Sequence, residues 1–374
     1  MDFTPTREQR AAAGLAAEIF GDRSTPERLT ALGTDADTAL WKTLSQAGLP
    51  GSVTETGLLG LVLLLEEAGR TTAQVPLAAT CAYGILAVAA HGAPEQRARL
   101  LPDLTDGALV ATGAFGTGEP PAVRATRAAG GATTGPPAVR AARAAGPTAH
   151  LTGTVPVVPW LTCADLVLVP DADRELWLLR TDAPGVAVTP VATTAPWSAG
   201  RLDVTDAPAE RLGAAPDPVG PGPYGDVLAG ARIAHAGLQA GVCAGALARA
   251  VAHTAERHQF GKPLDAHQAV LLRAADAHLD TEAIRVTAYE AAWRRDTARG
   301  GAPHALTAAW WAAEAGTRVV HAVQHLHGGL GADLGHPVHR HFLWGRQLAA
   351  DLGAGAQLIE ELGQLLVSDG EEAA

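Results

Sequence analysis

The stretch from Asp226 to Arg257 constrains this chain more than any other, because small residues crowd it: Ala231, Ala234, Gly237, Gly241 and Gly245. Read as one long helix, it carries little side-chain bulk along part of its surface, so neighbouring helices can approach closely. Further helical patterns follow at about 264–298 and 304–327, and a last one runs from about Val338 to Leu366. Four helices in succession predict an antiparallel bundle whose core is made of interlocking helix faces. With 374 residues and 47% hydrophobic content, the chain can bury that core and one or two further domains.

Residues 1–105 also read as helical. Thr6 to Phe20, Thr25 to Leu32 and Asp37 to Ala47 mix apolar and charged residues at helical spacing. An apolar run from Leu58 to Glu67 closes at Gly69, which suits a helix C-cap. Ala78 to Ala90 reads as a buried helix, and Pro94 opens another in the first-turn position that proline favours. From residue 106 to about 215 the pattern changes to short β-type runs between Pro, Gly and Asp turns: Val110–Phe115, Val155–Val158, Asp165–Val169, Leu176–Leu179 and Val186–Val188. Within this central β-domain, Pro120–Gly130 recurs as Pro136–Gly146. Two copies are too few for a solenoid, so the duplication over 120–146 reads as a lengthened loop or hairpin. The predicted domains are thus 1–105, 106–215 and 216–374, a mainly α chain with a central β-domain.

Two motifs carry chemistry. Arg257-His258-Gln259-Phe260-Gly261-Lys262 lies between two helices, and its arginine offers a rigid five-donor fork suited to a phosphate or pyrophosphate. Taken alone, an arginine at a helix C-terminus is more often a cap on the helix dipole. The second motif, some seventy residues on, shifts that balance: His325-Leu326-His327-Gly328-Gly329-Leu330-Gly331. In this order and spacing the two resemble the acyl-CoA dehydrogenase family, whose C-terminal domain carries Arg-x-Gln-Phe-Gly-Lys and then Gln-x-His-Gly-Gly-x-Gly. The resemblance extends over most of the chain and implies an N-terminal helical domain, a β-domain and a C-terminal four-helix bundle. It also implies FAD, and an acyl-CoA or acyl-carrier-protein thioester as the substrate of α,β-desaturation. By the same resemblance, Arg257, Gln259, Phe260 and Gln268 are expected to hold the pyrophosphate and ADP part of FAD across a subunit interface. Gly328 and Gly329 would let the backbone approach it, and His325 stands where glutamine is common.

The catalytic positions depart from the family. Desaturation needs a positioned base for the α-proton, and the family places a glutamate at one of two positions. Here they are occupied by Ala231 and Leu352, neither of which takes a proton. Asp351 is the nearest carboxyl, but one helical step turns its side chain by about 100°; a solvated surface aspartate is the competing account. Where the family covers the flavin ring with Trp-x-Thr, this chain has Val157 and Pro159, without a hydroxyl between them. The Thr-Glu-Pro flavin loop is only echoed by Gly116–Pro120. The resemblance therefore implies a degenerate subunit of the kind found in the α2β2 acyl-CoA dehydrogenases of steroid side-chain breakdown, paired with a catalytic homologue. The alternatives are a self-sufficient homo-oligomer with altered flavin chemistry, and a non-enzymatic scaffold.

The remaining composition narrows the setting. A formal charge of −11 argues against a general nucleic-acid binder. No window reaches the uninterrupted apolar length of a membrane span, and the first residues do not read as a signal peptide. Cys81, Cys163 and Cys243 are isolated, which indicates neither a disulfide framework nor a cysteine metal site, and makes a reducing cytoplasm the expected compartment. His321 and His325 share a helix face, and His327, His336, His339 and His341 follow. With no nearby carboxylate to complete a site, helix-end capping and interface hydrogen bonds are the expected roles and no metal is predicted.

Overall fold

The computed structural model describes residues 2–116, 140–143, 148–213, 222–351 and 353–372. Contacts divide the chain into two compact units, one of residues 1–31, 56–73 and 232–374 and the other of 32–55 and 74–231.

The N-terminal helices follow their sequence signals. Helix α1 (Arg7–Arg23) opens with a reciprocal cap, in which the Thr6 hydroxyl accepts from the Gln9 N–H and the Gln9 side chain accepts from the Thr6 N–H. After α2 (Pro26–Leu32), Asp37 caps α3 (Thr38–Gln46) by accepting from Leu40 N–H at 2.8 Å. Helix α4 (Leu49–Arg70) is long and apolar enough to cross a membrane by length and composition, but 67% of its apolar window is buried in the protein. It is also broken. Gly57 sits at φ 70°, and the second segment starts afresh with the Asp296 carboxylate accepting from Leu58 N–H (2.8 Å) and Leu59 N–H (2.9 Å). A Cβ on Gly57 would lie 2.7 Å from that carboxylate, so both the positive φ and the close approach require glycine. Helix α5 (Leu77–His91) contains a π-helical stretch at Thr80–Leu86, and α6 (Pro94–Thr105) has its proline in the first turn.

The β-domain is one seven-stranded sheet: β1 (Ala111–Gly113), β2 (Arg140–Arg143), β3 (Thr148–Val158), β4 (Leu166–Pro170), β5 (Leu176–Arg180), β6 (Val186–Pro190) and β7 (Gly200–Arg211). Its order is β1-β4-β5-β7-β3-β2, with β6 also pairing β7. Among the described strands, only β1 and β4 run parallel. Leu151, Val155, Val167, Trp177, Leu179, Leu202 and Val204 form its core. The sequence reading found five of these strands but not β7, the longest, which joins β3, β5 and β6. The duplicated segment 120–146 lies outside the described residues except for β2, which pairs antiparallel with β3.

Helix α7 (Gly222–Glu256) is continuous over 35 residues. A tight hairpin of β8 (His258–Gln259) and β9 (Lys262–Pro263) leads into α8 (Gln268–Asp296) and α9 (Ala302–His327). The expected last helix is two, α10 (Val338–Asp351) and α11 (Gly355–Glu372), separated where Gly353 takes φ 116°. Small residues do what their spacing predicts: a Cβ on Gly241 would overlap the Glu66 carbonyl oxygen, and one on Gly69 would overlap that of Leu238. Gly69 is thus inside α4 rather than its cap, kept small by the approach of α7. Beside this contact Glu66, 3% exposed, accepts from Arg70 (2.6 Å), Arg285 (2.7 Å) and the Tyr289 hydroxyl (2.7 Å), tying α4 to α8.

Candidate cofactor-binding cleft

At the end of the bundle, the last turns of α7, the start of α8 and the glycine-rich turn after α9 enclose a cleft of about 620 Å³. Arg257, His325, Gly328 and Gly329 line it, together with His253, Leu264, Ala269, Val270, Arg273, Leu326, His327 and Leu330. The reason is local. Arg257 follows the last residue of α7, and its N–H still donates to the His253 carbonyl at 2.9 Å, so both residues share one face. Gly328 ends α9 with φ 60°, turning the backbone into the 3₁₀ turn Gly328–Ala332. Gln268 is the first residue of α8 and exposed. Gln259 pairs with Lys262 in the hairpin, whose tip carries Phe260. Phe260 is 90% exposed, its ring edge-on to His267 at 5.9 Å. Four of the seven predicted cofactor residues therefore meet in the cleft, and Gln259, Phe260 and Gln268 lie outside its lining.

Two polar residues of the cleft were not singled out from sequence. His253 lies one helical turn before Arg257, a spacing that points to it. Arg273 carries no local signal, since it reaches the cleft only through the placement of α8 beside the glycine-rich turn. The guanidiniums of Arg257 and Arg273 make no ion pair among the described residues, so both forks remain free to donate. His327 is 5% exposed; its Nδ1 donates to the Val323 carbonyl at 2.9 Å, while its Nε2 is buried without a partner. Uncommitted cations and an orphaned ring nitrogen in one cleft suit an anionic group such as a diphosphate.

The expected base positions look different. Ala231 is fully buried and Leu352 lies outside the described residues. Asp351 is not a solvated aspartate: its side chain is 8% exposed and pairs with His235 Nε2 at 3.0 Å. Next along α7, Arg232 clasps Glu361 with two hydrogen bonds of 2.8 and 2.7 Å. Both pairs fasten α7 to the C-terminal helices. In the β-domain, Val157 is 39% exposed and the Pro159 carbonyl accepts from the Thr112 hydroxyl at 2.6 Å. Neither residue presents a side-chain donor there. Among the described residues, no group of three or more His, Cys, Asp or Glu is placed to hold a metal ion.

Comparison with known proteins settles the family. The family description "Acyl-CoA dehydrogenase, N-terminal domain" matches residues 6–108 and "Acyl-CoA dehydrogenase, C-terminal domain" matches 225–360. The chain belongs to the acyl-CoA dehydrogenase family. Members of this family are FAD-dependent oxidoreductases. The acyl-CoA dehydrogenase FadE27 of Mycobacterium tuberculosis is 32% identical over 98% of this chain and 99% of its own length. Two solved structures are similar throughout. One is a variant of the Tcur3481-Tcur3483 steroid ACAD, at 37% identity and TM-score 0.87, covering 97% of this chain and 99% of that one. The other is the ChsE4-ChsE5 complex from Mycobacterium tuberculosis, at 31% identity and TM-score 0.84, covering 98% and 99%. The chain thus has the acyl-CoA dehydrogenase fold, with N-terminal helices, a central β-domain and a C-terminal helical domain.

Proposed function

We propose that this acyl-CoA dehydrogenase-family chain is the cofactor-sharing, base-less subunit of a heteromer that desaturates an acyl thioester. The observation that carries the reading is the contrast within the chain: an intact cationic cleft at the bundle end, and Ala231 fully buried where a catalytic glutamate belongs. In this reading Arg257 and Arg273 donate to the FAD diphosphate, and the backbone at Gly328 and Gly329 leaves room for it. Gln259, Phe260 and Gln268 stand outside the cleft and face the partner that supplies the rest of the site. Bound FAD would supply the hydride acceptor for the thioester's Cβ, and a glutamate of the partner would take the α-proton. This chain's Asp351 stays with His235 as a structural pair. The steroid ACAD and the ChsE4-ChsE5 complex among its similar structures support the two-component arrangement, and a steroid-derived acyl group as the class of substrate.

Flavin absorbance tests the reading. The chain purified alone should be nearly colourless, and co-expression with a homologue that retains the glutamate should give a stable yellow complex with turnover. One FAD per chain and turnover in the isolated protein would refute it in favour of a self-sufficient flavoenzyme. No flavin under any pairing would leave a scaffold.

A further inference from the structure

His253 and His327, which line the cleft, belong to a group of bases that the shared-cofactor reading has not used. Arg249, His253 and Arg257 stand at i, i+4 and i+8 on one face of α7 and its end. The His253 ring stacks on His327 at 4.7 Å with an interplanar angle of 18°, and His336, from the turn before α10, makes a second ring contact with His327 at 5.3 Å. Arg249 is half-buried and pairs with no carboxylate among the described residues; burial pulls its pKa down. The groups facing this cluster are themselves mostly basic. His327 sees the Val323 carbonyl, His253, His336 and Arg249; His336 sees Arg249, His253, His339 and one carboxylate, Asp333. Arg249 and Arg340 also bear on the neighbouring His341, which hydrogen-bonds the Arg70 carbonyl.

We propose that Arg249, His253, His327 and His336 form an inner anion subsite that takes a phosphate of an adenosine diphosphate ester, with protons entering together with the anion. The inference rests on the cofactor reading above and extends it. Stacked imidazoles beside an unpaired guanidinium cannot all be cationic without a counter-charge. Burial first, and the neighbouring cations after it, lower the pKa of His327 and His336. A phosphate reverses the cationic contribution, so protons are taken up and charge-assisted N–H donors form where the orphaned His327 Nε2 now has none. The reaction is association only: ligand and protons in, nothing transferred.

The test is calorimetric titration of the full chain with ADP-ribose, whose diphosphate is a diester of constant charge, from about pH 6 to 8 in two buffers of different ionisation heat. Affinity should rise as pH falls, about tenfold per pH unit for each proton taken up, with matching proton uptake in the buffer comparison. His327→Gln combined with His336→Gln should flatten that slope. Arg257→Ala should weaken binding at every pH and keep the slope. Displacement of ADP-ribose by FAD or by CoA supports the subsite either way and identifies which diphosphate it takes. Binding that is flat with pH and releases or absorbs no protons overturns the inference while leaving the cofactor reading standing. Absence of binding at any pH also overturns it, and the flavin content of the co-expressed complex then judges the cofactor reading on its own.

Discussion

Replacing Phe260 with asparagine should move stability and assembly in opposite directions. Phe260 and Gly261 are the two central residues of the hairpin between Gln259 and Lys262, with φ of 54° and 79°. Two positive φ values in a two-residue loop are the pattern of a type I′ turn, which strongly favours Asn-Gly. A bulky residue in the left-handed region costs roughly 1 kcal/mol, and asparagine tolerates that region far better. Phe260→Asn should therefore stabilise the isolated chain by about 0.5–1 kcal/mol, or about 1–3 °C in Tm. The ring it removes is 90% exposed. If a partner covers it, its burial contributes about 2–3 kcal/mol, so association should weaken roughly 30- to 140-fold at 1.4 kcal/mol per tenfold. Thermal unfolding of the chain alone and sedimentation of the co-expressed pair read the two effects separately. A lowered Tm would refute the turn argument. An unchanged Kd would refute the placement of Phe260 at the shared interface.

Other perturbations have equally definite outcomes. Asp296→Ala leaves the Leu58 and Leu59 amides without an acceptor and should cost about 2–4 kcal/mol in urea unfolding; a loss under 0.5 kcal/mol would mean that the second α4 segment does not depend on this cap. His341 is fully buried, and burial holds its pKa down at about 4. The unfolded chain therefore binds the proton first on acidification, so stability present above about pH 6.5 is lost as pH falls toward 4. His341→Gln should remove roughly one proton from the acid-unfolding slope, measured by denaturant titration at several pH values. Asp351→Asn should lower Tm by breaking the pair with His235 and leave turnover of the heteromer within twofold; loss of turnover at unchanged Tm would make Asp351 a catalytic group after all.

Much of this architecture is legible in the sequence because its signals are local. The small residues between Asp226 and Arg257 announced a close-packed helix, and the capping residues Thr6, Asp37 and Pro94 lie where the helices begin. Strand β7 escaped because Asp203, Asp206 and Pro208 are poor strand formers and Thr205 and Asp206, two exposed residues in a row, break its alternation, and its pairing with β3, β5 and β6 overrides that weak local preference. Gly69 looked like a helix end because glycine usually is one, and only the proximity of Leu238 explains it. In the cleft, Arg257 and the two glycines were visible as a motif. Arg273 was not, since it reaches the cleft only where α8 packs beside a turn more than fifty residues further along the chain. Asp351 was misjudged as solvated for the same reason: its partner, His235, is distant in the chain.

The contact between α4 and α7 also bears on how such a chain can drift in sequence. At Gly241 the neighbour is the Glu66 carbonyl oxygen, and at Gly69 it is that of Leu238, so main chain meets main chain. A side-chain contact can wander, with one residue growing as its neighbour shrinks. Here no neighbour can shrink, because a carbonyl group is the same whatever residue bears it. Variation at these two glycines is therefore available only to a lineage that moves an entire helix, while the surrounding surface remains free to change one residue at a time.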